Sequence, residues 1–325
     1  MQAAEGCEGI TVSTMAEARF FGEAGFRDIT YAVPLAPARA QEALTLARSL
    51  DRLNLIVDDT VAVDAIEATA REQGLRASVL MKVDCGYHRA GVDPEGSAAV
   101  ALARRLADCR WIDFVGVLTH AGHAYGCRNV EGVQEVAEQE RAVTVGCAER
   151  LRAEGIEVKE VSVGSTPTMS VAKRMGGVTE VRAGNYVFYD AFQAALGSCT
   201  ASDPAFTVLA TVIGRYPHRG AVVLDAGALA LSKDLGARQV DPDAGFGVLM
   251  PPDQSRAWKH LRLYALSQEH GHVAMRGDLG DVDLRVGDKV RIVPNHSCLS
   301  AALFDRYHVE SQGRVCGVWR PVRGW

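Results

Sequence analysis

Ser162-Val163-Gly164-Ser165-Thr166-Pro167-Thr168 reads as a strand that turns directly into a helix. The run Val158–Gly164 is rich in β-branched residues, and Thr166–Arg174 carries a helical pattern with proline in its first turn. Working outward, the same alternation recurs. Further strand patterns are Gly9–Val12, Asp28–Val33, Asn54–Asp58, Ser78–Asp84, Phe114–His120 and Thr179–Tyr189, with helical patterns at Ala36–Arg52, Val61–Gln73, Pro94–Ala107 and Val130–Ala153. Several strands are continuously apolar, as expected where helices cover a parallel sheet. This predicts an α/β fold, a (β/α)8-type barrel or a doubly wound sheet. The absence of GxGxxG after the first strand lowers the dinucleotide-binding alternative. Beyond about residue 200 the texture changes to short extended runs separated by Gly, Pro and Asp: Phe206–Arg215, Gly220–Asp225, Leu261–Glu269, His272–Met275 and Lys289–Val293. The expectation is a barrel over residues 1–200 and an antiparallel β domain over residues 201–325.

The chain has 325 residues, 48% hydrophobic and 23% charged, and a formal charge of −5. An acidic balance without a Lys/Arg-rich block argues against nucleic acid as a partner. No apolar run approaches the ~20 residues of a membrane span, and no leader pattern opens the chain. The eight cysteines lack CxxC spacing, which points to reduced thiols and a cytoplasmic location.

Chemistry-bearing residues gather where strands end, the face on which barrels place catalytic groups. Met81-Lys82-Val83-Asp84-Cys85-Gly86-Tyr87-His88-Arg89 closes one strand, and Thr119-His120-Ala121-Gly122-His123-Ala124-Tyr125 closes the next. The two histidines could bind metal or serve as ordinary loop residues. Gly164-Ser165-Thr166 offers backbone N–H groups and hydroxyls at a helix start, an anion cradle, although Ser/Thr-Pro also opens unremarkable helices. Arg182-Ala183-Gly184-Asn185-Tyr186 offers a second set of donors. Adjacent cradles on consecutive strands fit one phosphate better than a dinucleotide. In Val293-Pro294-Asn295-His296-Ser297-Cys298, an imidazole and a thiol stand two residues apart. In an extended stretch they would share a face. They form a zinc-type donor pair, and two protein ligands leave positions open for water or substrate.

Together these segments resemble the alanine-racemase-like, fold-type III pyridoxal-phosphate enzymes, and within them the D-serine dehydratase / D-threonine aldolase family. The resemblance runs from Gly9-Ile10-Thr11-Val12 through Leu266-Ser267-Gln268-Glu269-His270-Gly271 to His296-Ser297-Cys298. It implies that Ser165, Thr166, Gly184, Asn185 and Tyr186 hold the phosphate of pyridoxal 5'-phosphate. It also implies that Gln139 contacts the cofactor, that Arg89 faces the ring hydroxyl and that Arg182 faces the pyridine nitrogen. His123 and Tyr125 become substrate-side candidates, Tyr125 also beside the cofactor. Zn2+ would sit on His296 and Cys298. Family aldolases typically have Asp at the second metal position, so Cys298 favours a dehydratase of D-serine or a related D-3-hydroxyamino acid. Relatives are dimers, which implies a homodimer.

Two observations set an expectation about the N-terminus. Only seven barrel strands are counted, and the family's Schiff-base lysine lies upstream of Gly-Ile-Thr-Val. The chain is therefore expected to lack the first βα unit and that lysine. Of its six lysines, Lys159, Lys173, Lys233, Lys259 and Lys289 read as solvated, and Lys82 alone belongs to a barrel strand near the mouth. In alanine racemases the matching lysine can be a carbamylated residue that supports the neighbouring arginine, so the resemblance implies that Lys82 is not the imine former. An aldolase cleaving Cα–Cβ, and a non-catalytic cofactor-binding or scaffold protein, stand as the alternatives.

Overall fold

The structure, a computed structural model, describes residues 2–258, 261–275 and 282–324, so Lys259 lies outside the described residues. The chain divides into two compact units. The first comprises Met1–His123, Gln134–Arg182 and Val322–Trp325; the second comprises Ala124–Val133 and Ala183–Pro321.

In the first unit, strands β1 (Ile10–Val12), β2 (Asp28–Pro34), β3 (Arg52–Val57), β4 (Ala77–Lys82), β5 (Ile112–Leu118), β6 (Glu160–Val163) and β7 (Glu180–Val181) form one sheet in the order β1 to β7. Every neighbouring pair is parallel. Sequential parallel order is that of a (β/α)-barrel wall, as the alternating sequence predicts. The connecting helices are α1 (Met15–Glu23), α2 (Ala40–Ala47), α3 (Thr60–Gln73), α4 (Ser97–Ala107), α5 (Val130–Ala153) and α6 (Thr166–Val171). Leu55, Val57, Val79, Met81 and Val117 face the helix-covered core, whereas Ile56, Leu80, Val115 and Leu118 form a separate inner cluster. Both faces are therefore apolar, which explains the continuous strand hydrophobicity.

At the strand starts, polar side chains tie the wall together. Arg52 on β3 donates to Asp28 on β2 through Nε (3.0 Å to Oδ2) and Nη2 (2.5 Å), and its other arm reaches Glu160 on β6. Beside it, Asn54 donates to Thr30 Oγ1 at 3.1 Å, and Ser78 donates to Asn54 Oδ1 at 2.5 Å.

The strand expected over Thr179–Tyr189 is much shorter in the structure. Only Glu180–Val181 pairs, and a 3-10 turn, Asn185–Val187, follows. The short side chains of Asn185 and Asp190 make local hydrogen bonds that compete with a strand ladder. Asp190 caps α7 (Ala191–Leu196), its Oδ1 accepting from Gln193 N at 2.9 Å.

The second unit also contains β8 (Val208–Tyr216), β9 (Ala221–Leu224), α8 (Ala228–Leu231), β10 (Gly247–Met250), β11 (Leu261–Leu266), β12 (Gly271–Met275), β13 (Lys289–Pro294), α9 (Ser297–Ala301), β14 (Tyr307–Ser311) and β15 (Arg314–Trp319). Six of these strands form an antiparallel sheet in the order β10-β13-β8-β9-β12-β11, and β14 and β15 form a hairpin. The sheet is antiparallel, as the short extended runs after residue 200 suggest. Its core includes Val208, Val212, Leu224, Leu263, Val273 and Ile292. No described helix is long and apolar enough to cross a membrane.

Replacing Arg52 leaves Asp28 and Glu160, both partly buried, without their shared cation. Arg52→Ala should cost about 2 kcal/mol, below the usual cost of a fully buried pair because these groups are partly solvated. The midpoint of urea unfolding measures it.

Candidate active site

The barrel mouth is organised by a carboxylate that the sequence reading passed over. Glu140 on α5 is fully buried. Its Oε1 accepts from the backbone N–H of Ala121 (2.9 Å) and of Gly164 (3.0 Å), and its Oε2 accepts from the Thr168 hydroxyl (2.9 Å). It thus joins the ends of β5 and β6 to the first turn of α6. The sequence did carry a signal. Val133, Ala137, Thr144, Ala148 and Leu151 are all buried, and Glu140 falls on the same helical stripe.

Of the donors that the sequence offers as an anion cradle, the Gly164 N–H is spent on Glu140 and the Ser165 N–H on Thr168 Oγ1. Ser165 is the N-cap of α6: its hydroxyl accepts from Thr168 N, and its own N–H goes to Thr168 Oγ1 at 3.1 Å. Ser165 and Thr166 are both buried. Gly164 has φ +135°, and a Cβ there would lie 2.7 Å from Arg182 N. Arg182 is buried beside it, its Nε donating to Ser162 Oγ at 2.7 Å and its Nη2 to the Thr119 carbonyl.

Around this point stand the other barrel candidates. Gln139 donates to the Cys85 carbonyl at 3.1 Å, and Arg89 lies over the Tyr87 ring, 5.2 Å from its centroid. A Cβ on Gly122 would come within 2.2 Å of that ring, so only glycine admits Tyr87 here. His123 stacks on Tyr87 at 6.3 Å, and both its ring nitrogens are buried without a hydrogen-bond partner. A buried polar group in that state marks a place for a ligand donor or acceptor.

His120, one of the two histidines that the sequence left open between metal binding and an ordinary loop role, has one ring nitrogen committed to the Gly164 carbonyl. Burial pushes it down to about 4, with the positive Arg89, Lys82 and Arg182 adding to the effect. The ring is therefore neutral. Its Nδ1 lies 2.9 Å from the Gly164 carbonyl, so Nδ1 carries the proton and Nε2 is left as an acceptor. Lys82 is 6% exposed, and burial, followed by Arg182 and Arg89, lowers it to about 8.

The second unit gathers the remaining candidates. Tyr125 accepts a hydrogen bond from Gln193 Nε2 at 3.2 Å and packs edge-on against Phe192. The stretch holding His296 and Cys298 is not extended: β13 ends at Pro294, His296 becomes the N-cap of α9, and Cys298 lies in its first turn. The two side chains nonetheless lie near enough for each to influence the other's ionisation. Convergence comes from a strand-to-helix turn, not from strand alternation. Asn295 fixes that turn, donating to the carbonyls of Asp234 (3.0 Å) and Gly245 (2.9 Å).

His296 Nδ1 lies 3.3 Å from Asp234 Oδ2, the carboxylate–imidazole arrangement that orients metal-binding histidines. Burial alone would lower His296, but its bonds to Asp234 and Cys298 raise it to about 10. For Cys298, desolvation would raise the thiol, and the bond from His296 outweighs it, so the sulfur is held toward thiolate. An imidazole and a thiol are N and S donors of the kind a borderline-soft divalent cation takes, the cation replacing the imidazole proton. Asn185 Nδ2 reaches Cys298 Sγ at 3.5 Å, bringing the Gly184-Asn185-Tyr186 loop to the pair.

Ser165, Thr166, Arg89, Gln139, Arg182 and His123 belong to the first unit, and Gly184, Asn185, Tyr186, Tyr125, His296 and Cys298 to the second.

Comparison with known proteins supplies the context. Residues 1–191 match the alanine racemase N-terminal domain, and residues 205–310 match the putative serine dehydratase domain. The chain is 42% identical to the D-threo-3-hydroxyaspartate dehydratase of Delftia sp. (strain HT23), over all of this chain and 86% of that one. It is 36% identical to the D-serine dehydratase of Dictyostelium discoideum, over 98% and 83% of the two chains. It is 29% identical to the D-threonine aldolase of Arthrobacter sp., over 100% and 81%. The solved structure of the Delftia enzyme matches with a TM-score of 0.93, covering 100% of this chain and 86% of that one. A cysteine-to-alanine mutant of the same enzyme, in its metal-free form, matches with the same TM-score and coverage.

Two outcomes follow. Glu140→Ala leaves two backbone N–H groups and a hydroxyl unpaired in the interior, so the unfolding free energy should drop by about 3 kcal/mol or more. Lys82 gives a pH dependence. The unfolded chain keeps the lysine proton up to its ordinary 10.5, while the folded protein releases it near 8. Between those values folding gains stability as pH rises, by up to about 3 kcal/mol. Urea midpoints from pH 7.5 to 10.5 should show this rise in the wild type and lack it in Lys82→Met.

Proposed function

Since the chain belongs to the D-serine dehydratase / D-threonine aldolase family of alanine-racemase-like, fold-type III pyridoxal-phosphate proteins, we propose that it is a pyridoxal-phosphate- and zinc-dependent dehydratase, an ammonia-lyase. Its substrate is D-serine or a related D-3-hydroxyamino acid, and its products are a 2-oxo acid and ammonia. The observation that carries this reading is the turn that holds His296 and Cys298 two residues apart, with Asp234 Oδ2 3.3 Å from the imidazole and Asn185 Nδ2 3.5 Å from the thiol. That a structure of the Delftia dehydratase is described as a metal-free form supports including a metal in this reading. The higher identities to dehydratases than to the Arthrobacter aldolase point the same way.

In this reading Ser165, Thr166, Gly184, Asn185 and Tyr186 hold the cofactor phosphate, and Gln139, Arg89, Arg182 and Tyr125 contact the rest of it. His296 and Cys298 hold the zinc. Pyridoxal phosphate, when bound, supplies the electron sink that makes the Cα–H bond of an amino acid acidic. Zinc, when bound, supplies Lewis acidity toward a β-hydroxyl, a poor leaving group without it. The chain's own residues position these groups. Glu140 and Asp190 fix the loops. His120, neutral with Nδ1–H donated to Gly164, presents Nε2 as an acceptor at the mouth. The buried, unpartnered nitrogens of His123 make it the substrate-side donor, and Tyr125 flanks the substrate in the same reading. Lys82, whose proton affinity is lowered by burial and by the charges of Arg182 and Arg89, is not assigned as the imine former. A cytoplasmic homodimer acting on a small D-amino acid completes the proposal.

D-threonine separates the readings, because either reaction can act on it. With the full chain, pyridoxal phosphate and zinc, the dehydratase yields 2-oxobutyrate and ammonia, and D-serine yields pyruvate. Glycine and acetaldehyde from D-threonine would instead establish the aldolase. Cofactor binding without turnover of either amino acid would establish the non-catalytic reading.

A further inference from the structure

The carboxylate of Asp190, 1% exposed, collects donors from three segments of the second unit. Its Oδ2 accepts from Asn185 Nδ2 (2.7 Å), from the Ser297 backbone N–H (3.0 Å) and from the Ser297 hydroxyl (3.3 Å), while Oδ1 accepts from Gln193 N (2.9 Å). Ser297 lies between His296 and Cys298. One buried charge therefore grips the turn that carries the metal pair and the loop that carries Asn185.

Asn185 completes the link. The same Nδ2 that meets Asp190 also reaches Ser297 Oγ (3.2 Å) and Cys298 Sγ (3.5 Å). Its N–H donors point at the thiol side, and its Oδ1 is buried without a partner. The side chain of Asn185 is thus committed to the His296–Cys298 turn, and only the backbone of its loop is left to meet an anion. A shift of that backbone moves the amide against the sulfur. It also competes for Oδ2, to which Ser297 N is bound. Hydrogen bonds to an ionised carboxylate are roughly twice as strong as neutral ones, so the linkage is stiff.

We propose that Asp190 is a positioning residue that couples phosphate occupancy of the Gly184-Asn185-Tyr186 loop to the divalent-cation affinity of His296 and Cys298. The inference rests on the proposed function for the identities of the two ligands and adds that they bind cooperatively through this chain's own side chains. Because coupling is reciprocal, each ligand must tighten the other by the same factor.

Pyridoxal phosphate and pyridoxal differ only in the phosphate, and Co2+ reports the cation site through its thiolate-to-metal absorption. Co2+ is titrated into the full chain saturated with one or the other. The expected result is a Kd for Co2+ at least about fivefold lower with pyridoxal phosphate than with pyridoxal, and the same factor in the reverse titration. In Asp190→Asn this ratio should fall to near one, and in Ser297→Ala, which keeps the carboxylate but removes the bridging hydroxyl, it should shrink. A merely structural role would weaken both titrations equally and leave the ratio intact. A wild-type ratio of one, with both ligands binding, overturns the coupling and leaves the proposed function standing. An unchanged ratio in Asp190→Asn, or in Ser297→Ala if the former does not fold, overturns the role of Asp190. Failure of pyridoxal phosphate or Co2+ to bind the wild type overturns the proposed function, and the coupling with it.

Discussion

A carboxylate taken out of water is tolerated only when its lone pairs are filled, and Glu140 meets that condition with two backbone N–H groups and a hydroxyl. The arrangement constrains everything above it. The N–H of Gly164 cannot turn outward while it is held by Oε1. Its carbonyl is consequently aimed at His120, whose tautomer follows from that contact. The hydroxyl of Thr168, spent on Oε2, accepts the N–H of Ser165, and this sets the first turn of α6. One buried charge thereby decides which polar atoms at the mouth are committed to structure and which are left to meet a ligand.

The second unit repeats the device with Asp190. There too a buried carboxylate serves a loop and a helix start at once, with His296 and Cys298 on either side of the Ser297 that it holds. Placing the charge on a rigid element behind the site, instead of within it, allows preorganisation without competition for the ligand. The cationic residues of the barrel mouth, Lys82, Arg89 and Arg182, make that region favourable to an anion, and Glu140 tempers their mutual repulsion without standing among them as a counter-ion pair.

Much of this was legible in the primary structure, for identifiable reasons. The βα alternation follows from period and apolar content, and the helix Val130–Ala153 begins and ends where the pattern does. The strand that fell short, Thr179–Tyr189, was misread because β-branched residues before and after Gly184 look continuous. Asn185 and Asp190, which break the ladder, are also common in ordinary loops. His296 and Cys298 were found as a donor pair, but the geometry that unites them depends on Asn295 holding a turn through carbonyls some 50 and 61 positions distant, which no local pattern reveals. Glu140 sat in view on an apolar stripe, and the charged neighbours Glu138 and Arg141, which pair with each other, disguised it as part of a solvated face. Asp190 had a weaker sign, an Asp followed three residues later by Gln at a helix start.

The Arg52 cluster lies at the opposite ends of the strands from Lys82, His120 and Gly164. Binding energy for the barrel wall is thereby invested on one rim and reactivity displayed on the other. Such a separation uncouples two selective pressures. Substitutions around Tyr87 or His123 can reshape that end of the barrel while the anchoring rim keeps the scaffold intact, which is a physical route by which one architecture comes to accommodate different ligands.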